Sequence, residues 1–265
     1  MTDSISHRFG GIARLYGQAA LDRFLGARVA VIGVGGVGSW AVEALSRSGI
    51  GHLTLVDLDE ICITNVNRQL HAMDGQIGRQ KTEVMAERAR AIHPEAKITV
   101  VPKFFTEKSA GEILDLGFDA VIDAIDTTHH KALLLAECHC RKIFTVTCGG
   151  AGGRRDPSRI KVRDLARSGK DPLLLHLRKR LRNDHGFPKV PQHQEPPLFG
   201  IEAVFSDEPQ WFAHCDGSAS MDKPDEGSQR LNCTTGLGSA THVTAAFGLI
   251  AAGRVLEFIA NNGRP

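Results

Sequence analysis

Between residues 65 and 83 the chain reads NVNRQLHAMDGQIGRQKTE. Arg68 and Lys81 are among the side-chain cations there, with the amide of Asn67 beside the first. Such a set suits a polyphosphate that is being cleaved. Charge builds on the attacked phosphorus and on the departing pyrophosphate, and preorganised Arg and Lys side chains aimed there lower the barrier. A dinucleotide used only for hydride transfer needs no such cluster, because backbone amides suffice for its spectator pyrophosphate.

The residues before this stretch supply a nucleoside site. GVGGVG, from Gly33 to Gly38, follows the apolar run RVAVI and opens a helix, which is the setting the glycine fingerprint requires. Gly33 permits the tight turn, Gly35 lets the backbone approach a phosphate or ribose, and Gly38 allows close packing of helix on strand. Asp57 ends the next strand, 19 residues beyond Gly38, where a carboxylate can accept both ribose hydroxyls. Further on, AVIDAID places Asp126 just past a strand end, on the rim where open α/β sheets bind ligands. A magnesium ion bridging phosphates takes one or two carboxylates and keeps its waters. Asp126 is the expected ligand, with helix capping as its plain structural alternative. Asp123, inside the same strand, reads as structural.

Strand-like and helix-like runs must hold these groups in place. Strands are expected at RVAVIG, HLTLVD, KITVV, AVIDA and KIFTVTC, with helices at 37–48, 81–92, about 110–116 and 130–141. Short apolar strands alternating with amphipathic helices predict a doubly wound, mostly parallel α/β sheet with both faces covered. The expected organisation is a single domain, 1–265. It comprises a nucleotide-binding core, 1–153, a substrate-facing excursion, 154–235, and a C-terminal helix, 236–262, packed back on the core. The excursion is polarised: residues 154–182 carry eleven Lys and Arg against three Asp, and residues 195–226 carry eight acids against one Lys. Its FPKVPQHQEPPLFG is too rich in proline for regular structure.

A formal charge of +2 over 265 residues gives no global argument for nucleic acid. The local basic excess at 154–182, including HLRKRLR, is of the kind that meets backbone phosphates. Six scattered cysteines make no disulfide scaffold, and MTDSISHRFGG lacks the apolar core of a signal peptide, so a reducing cytoplasm is the expected setting. The apolar run from Gly236 to Gly253 is about 18 residues, the lower limit for crossing a bilayer. A buried C-terminal helix is expected there, with peripheral membrane contact as the other reading. Cys138 and Cys140 face different sides of one helix and make no metal pair. Cys233, in RLNCTTGLG before the last helix, is the candidate for a thiol role, since a helix amino end favours thiolate. Cys148 is a weaker candidate of the same kind, and His129 and His130 read as helix-end residues.

GVGGVG, VDLDEICITNVNRQLH, IGRQKTEVMAERARAIHP and IDAID, in that order, resemble the ubiquitin-activating-enzyme superfamily, whose bacterial members adenylate carboxylates. The resemblance implies that Gly36 and Asp57 meet adenosine, that Asn67, Arg68 and Lys81 meet the phosphates of ATP, and that Asp126 holds Mg2+. Arg14, in RFGGIARLYG, is similar to an arginine that members lend to a partner subunit's site, which implies a homodimer. Members acting on sulfur-carrier proteins usually carry two CxxC pairs, and none occurs here. RFGGIARLYG, GVGSW, TNVNRQ, VIDAID, GGAGG, DPLLLHLRKRLRNDHG and LNCTTGLGSATHVTAAFG are similar to the dehydratase family that uses ATP to cyclise threonylcarbamoyladenosine in tRNA. That implies tRNA carrying this nucleoside as the partner, no DNA, and a cysteine-desulfurase or sulfur-acceptor partner as a further expectation. Adenylation of a ubiquitin-like sulfur carrier is the alternative activity, and an NAD dehydrogenase or a non-catalytic nucleotide scaffold the alternatives from other classes.

Overall fold

The computed structural model describes residues 3–191, 194–214, 216–223 and 237–262. Two helices precede the first predicted strand: α1 (Asp3–Tyr16) and α2 (Gln18–Gly26). The order then runs β1 (Arg28–Ile32), α3 (Gly38–Arg47), β2 (His52–Val56), α4 (Lys81–Ile92), β3 (Lys97–Val101), α5 (Ala110–Leu114), β4 (Ala120–Asp123), α6 (Thr128–Cys140) and β5 (Phe144–Cys148). The chain continues through β6 (Ile160–Asp164), α7 (Pro172–Asp184), β7 (Glu202–Ser206), a short hairpin of β8 (Phe212–Ala213) and β9 (Ala219–Ser220), and α8 (Thr241–Ala260). The five strands and four helices expected of residues 28–148 all form, with ends shifted by one or two residues.

Seven strands make one sheet in the order β3-β2-β1-β4-β5-β7-β6. All neighbours are parallel except β6, which runs antiparallel to β7. The chain leaves β1 toward β2 and β3 and returns on the other side at β4, so the switch point opens between the carboxyl ends of β1 and β4. Strand alternation explains the two covered faces. Val29, Val31, Leu53, Leu55 and Ile122 turn to the layer containing α2, α3, α4 and α8, whereas Ala30, Ile32 and Val121 turn to α5 and α6.

The sheet does not stop near Gly153. β7 and β6 extend it from within the excursion, with Val162 opposite Val204 and α7 covering Phe199, Ile201, Ala203 and Phe205. IKVRD alternates apolar and charged residues as an edge strand should, and a run of five is short enough to pass for loop beside so many charges.

The last helix begins at Thr241, since residues 237–240 carry no regular structure and residue 236 lies outside the described residues. It is apolar because it is a core helix: Val243, Phe247, Ala251, Ala252, Val255 and Ile259 are buried. Gly248 lets its backbone meet α3, as a Cβ there would stand 2.3 Å from the carbonyl of Val37. Length and composition alone would allow this helix to cross a membrane, but half of its apolar window is buried in the fold.

Candidate functional site

The glycine turn occupies the carboxyl end of β1. Gly33 has a φ of 88°, and a Cβ on it would lie 2.8 Å from the carbonyl oxygen of Ala124 after β4. Gly38 is tighter: its Cβ would stand 1.8 Å from the carbonyl of Gly33. These two glycines are therefore required by the fold itself. Gly35 is different, because its nearest neighbour is the Gln69 amide at 3.8 Å and the space above it is open. Gly36 lies under Arg68, whose Cγ would be 3.4 Å from a Cβ there, with Thr244 of α8 at the same distance.

Asp57 is buried and reaches back to this turn. Its Oδ2 accepts the amide of Val34 at 2.7 Å and its Oδ1 the amide of Asp59 at 2.9 Å. Each oxygen keeps a second lone pair, so the carboxylate can hold the turn and still accept ribose hydroxyls. Lys81 opens α4 and is 6% exposed. Its Nζ meets Asp59 Oδ2 at 2.8 Å, and the Asp59 side chain is half exposed. Arg68 is half-buried and has no carboxylate partner among the described residues. Its Nη1 donates to the Thr64 carbonyl at 2.9 Å and to Asn67 Oδ1 at 3.0 Å. The Asn67 amide donates to the Ser239 carbonyl at 2.7 Å, and the Thr241 hydroxyl to the Asn67 carbonyl at 2.6 Å. The start of α8 thus backs the cation-bearing stretch. Trp40 adds a bond from Nε1 to the Arg68 carbonyl at 3.3 Å.

The same stretch concentrates buried polar groups without partners. Gln69 Oε1, His71 Nδ1, Gln80 Oε1 and Thr82 Oγ1 have none among the described residues, which is uncommon in a finished interior. Burial, and secondarily the charge of Lys81, lowers the pKa of His71, whose Nε2 lies 2.8 Å from the Val34 carbonyl. Burial thereby favours the neutral imidazole beside the glycine turn.

Asp126 follows β4 with an exposed carboxylate, and no partner for it occurs among the described residues. A free hard-oxygen donor on the ligand rim fits a magnesium ion that keeps most of its waters. Asp123 is structural, buried with Lys131 at 2.8 Å. Arg14 is not brought to this site within the single chain. It lies on α1, which docks through Arg8 and Phe9 on Ile92 and His93 at the far end of α4 from Lys81. That end is about 18 Å away at the helical rise.

The cysteines divide as their helix faces predict. Cys138 is buried and Cys140 exposed. Burial pushes the thiols of both Cys138 and Cys148 up to about 12, which removes Cys148 as a thiolate. Cys233 lies outside the described residues. His129 and His130 stand in the first turn of α6, where His129 contacts Glu107 Oε1 at 2.5 Å and the guanidinium of Arg180 at 2.6 Å.

Part of the basic excess meets acids from farther along the chain. Asp207 lies between Arg159, at 2.9 Å, and Lys161, and these hydrogen-bonded cations pull its carboxyl down to about 2. Arg167 pairs with Glu195 at 2.8 Å. In α7 Leu174, Leu177 and Leu181 form the buried stripe, and Arg178 and Arg182 follow it inward, burial lowering both pKa values. Arg155, Arg163, Lys170 and Lys179 remain exposed without ion pairs among the described residues. Arg155 stacks its guanidinium 3.7 Å above the Trp211 ring. A separate cavity of about 570 Å³, lined by Ile143, Phe144, Ile201 and Phe258, lies at the amino edge of the sheet, away from this rim.

Sequence spacing missed Asp59, Thr244 and Lys131. The signal for Lys131 was present, since it shares a helical stripe with the buried Leu134, Leu135 and Cys138.

Residues 11–265 match the ThiF family. The chain is 46% identical to the tRNA threonylcarbamoyladenosine dehydratase of Escherichia coli K12, over 97% of this chain and 95% of that protein. It is 47% identical to the enzyme of the same name from Haemophilus influenzae, over 96% and 94%. A crystal structure of the E. coli tRNA N6-threonylcarbamoyladenosine dehydratase in complex with ATP superposes with a TM-score of 0.85 at 43% identity, covering 98% of this chain and 97% of that one.

Proposed function

The chain belongs to the ThiF family, and on that premise we propose that it is an ATP-dependent dehydratase that cyclises threonylcarbamoyladenosine in tRNA. The observation that carries the chemistry is Arg68, without a carboxylate partner among the described residues, lying across Gly36 next to an Asp57 already locked onto the glycine turn. The choice of substrate is supported by the near full-length similarity to two enzymes of that name.

The threonyl carboxylate attacks the α-phosphorus of ATP, one oxygen bonding to phosphorus as the bond to the β-phosphate oxygen breaks. Pyrophosphate leaves and an acyl adenylate remains. Arg68 and Lys81 carry the charge that develops on the phosphates, Asn67 holds Arg68 in place, and Asp57 with Gly36 orients the adenosine. Magnesium, held through Asp126, would supply further neutralisation of the phosphates. A nucleophile within the same side chain then attacks the acyl carbon, closes the ring and expels AMP with the former carboxylate oxygen. The nucleoside thereby loses the elements of one water. The tethered nucleophile has a high effective molarity, so the ring closes without a nucleophile from the protein. Cys233 is the place where sulfur chemistry and a sulfur-handling partner would enter.

Two copies are proposed to form the working unit, because Arg14 is remote from its own site and exposed. On the outer face, Arg163, Lys170 and Lys179 would take tRNA phosphates, and Arg155 on Trp211 would offer a stacking cation. Incubation with ATP, Mg2+ and tRNA bearing the modified nucleoside should lower the mass of that nucleoside by one water, with AMP released in equal amount. An unchanged nucleoside, with protein that binds ATP, would reject the proposal.

A further inference from the structure

Asp123 and Lys131 form an ion pair entirely out of solvent, both side chains being 0% exposed. A buried pair is a poor source of stability, since desolvation of two charges offsets their attraction. Its bonds show another use. Besides Asp123 Oδ2, the Lys131 ammonium donates to the carbonyl of Ile125 at 2.9 Å and reaches that of Asp123 at 3.5 Å. The carboxylate in turn accepts the Thr147 hydroxyl of β5 at 2.7 Å and the amide of Ile125 at 3.1 Å. These bonds converge on one turn, residues 123–126, which carries the chain from β4 to Asp126. The turn is also the floor of the glycine loop: the Ala124 amide donates to the Ile32 carbonyl at 2.9 Å, and the Ala124 carbonyl is what forbids a side chain at Gly33.

We infer that Lys131 is a positioning residue, clamping the 123–126 turn from below so that the Asp126 carboxylate is held at a fixed place beside the glycine loop. The inference rests on the reading of Asp126 as the magnesium ligand. Lys131 touches no substrate in this account and acts only through the turn. Three N–H donors on one ammonium are what the site uses, and no apolar side chain of equal length could hold two carbonyls and a carboxylate together.

The test is calorimetric binding of ATP with Mg2+ and with EDTA, together with hydrogen exchange at the amides of residues 124–127. The double variant Lys131→Met, Asp123→Asn removes both buried charges and keeps an acceptor for Thr147. It should bind ATP in EDTA as the parent does, lose about tenfold of the affinity that Mg2+ adds, and exchange those amides faster, in line with other supports of metal ligands. Thr147→Val, a gentler variant, should lose about threefold, the weight of one hydrogen bond, and decides the matter alone should the double variant not fold. Parent-like Mg2+ gain and exchange would overturn the clamp. Asp126→Ala separates the two levels: if it abolishes the Mg2+ gain while the Lys131 and Thr147 variants keep it, the clamp falls and the ligand stands. If Asp126→Ala keeps the gain, the ligand reading falls.

Discussion

The region from Gly33 to Asp126 and the region from Arg154 to Ser206 draw on the same residue types and treat charge in opposite ways. In the first, Arg68 has no carboxylate partner among the described residues, and Asp57 is held by backbone amides alone. These two charges are thus positioned without being neutralised, while Lys81 beside them pairs with the half-exposed Asp59. In the second, cations meet acids about 30 to 50 residues away, as Arg159 and Lys161 meet Asp207 and Arg167 meets Glu195. A fixed, unneutralised charge is costly to hold and useful for catalysis, whereas a paired one contributes shape. Chemistry was therefore easiest to read where the charges are held largely by backbone groups of neighbouring strands and turns.

The contrast breaks first at Arg68. Arg68→Ala should lower turnover by about a hundredfold to a thousandfold, the range for losing one preorganised charge donor. ATP affinity should change far less, because the adenosine is held elsewhere. Lys81→Ala should behave similarly, its partner Asp59 being half exposed and able to hydrate. AMP release and calorimetry on the same preparations check both, and parent-like turnover in either variant removes that cation from the mechanism.

Next in size is the backbone that carries these charges. Gly38→Ala sets a methyl 1.8 Å from the Gly33 carbonyl, so the strand and helix must part, at a cost of about 3 kcal/mol, the upper end for overpacking. Gly35→Ala, facing open space and only the Gln69 amide, should melt as the parent does. The difference between the two melting curves is the measurement, and equal curves would mean that the turn is less rigid than its geometry states.

Much of the first region was legible because the glycine turn, the strand ends and the 65–83 stretch are local signals. β6, β7 and the partners of Lys131 were not. Lys131 in THHKALLL shares a stripe with Leu134, Leu135 and Cys138, but Asp123 and Thr147, which meet it, lie on two other strands. The basic count at 154–182 likewise does not say which cations are free to meet a partner. Arg178 and Arg182 go inward on the leucine stripe of α7, and Glu195 in the proline-rich loop and Asp207 beyond it neutralise others. What a charge does depends on partners that composition does not place.

That distinction can be sharpened with salt. If exposed, unpaired cations are the ones that meet tRNA phosphates, Arg163→Ala and Lys179→Ala should each reduce the slope of log affinity against log salt by about one. Lys161→Ala, already held by Asp207, should reduce it by clearly less. Filter binding across a salt series measures all three, and equal slopes would return the whole basic segment to the interface.

The smallest effect is in acid, and the two tryptophans allow it to be followed region by region. Trp40 is bonded to the Arg68 carbonyl, and Trp211 lies under Arg155. His71 has its pKa lowered chiefly by burial. Above its unfolded value of 6.5 neither state is protonated there. Below it the unfolded chain takes up a proton that the folded one refuses, so stability falls as pH drops from that value toward the depressed one. The Asp207 carboxyl is also depressed, so the stability it adds is complete above the unfolded carboxylate range and is lost only as pH falls toward about 2. Trp211→Phe, which leaves Trp40 to report, should therefore show melting that declines between pH 7 and 5. Trp40→Phe, which leaves Trp211, should show its own region following only at lower pH if the two regions open separately. Coincident curves at every pH would show one cooperative unit, with the His71 contribution spread over the whole sheet.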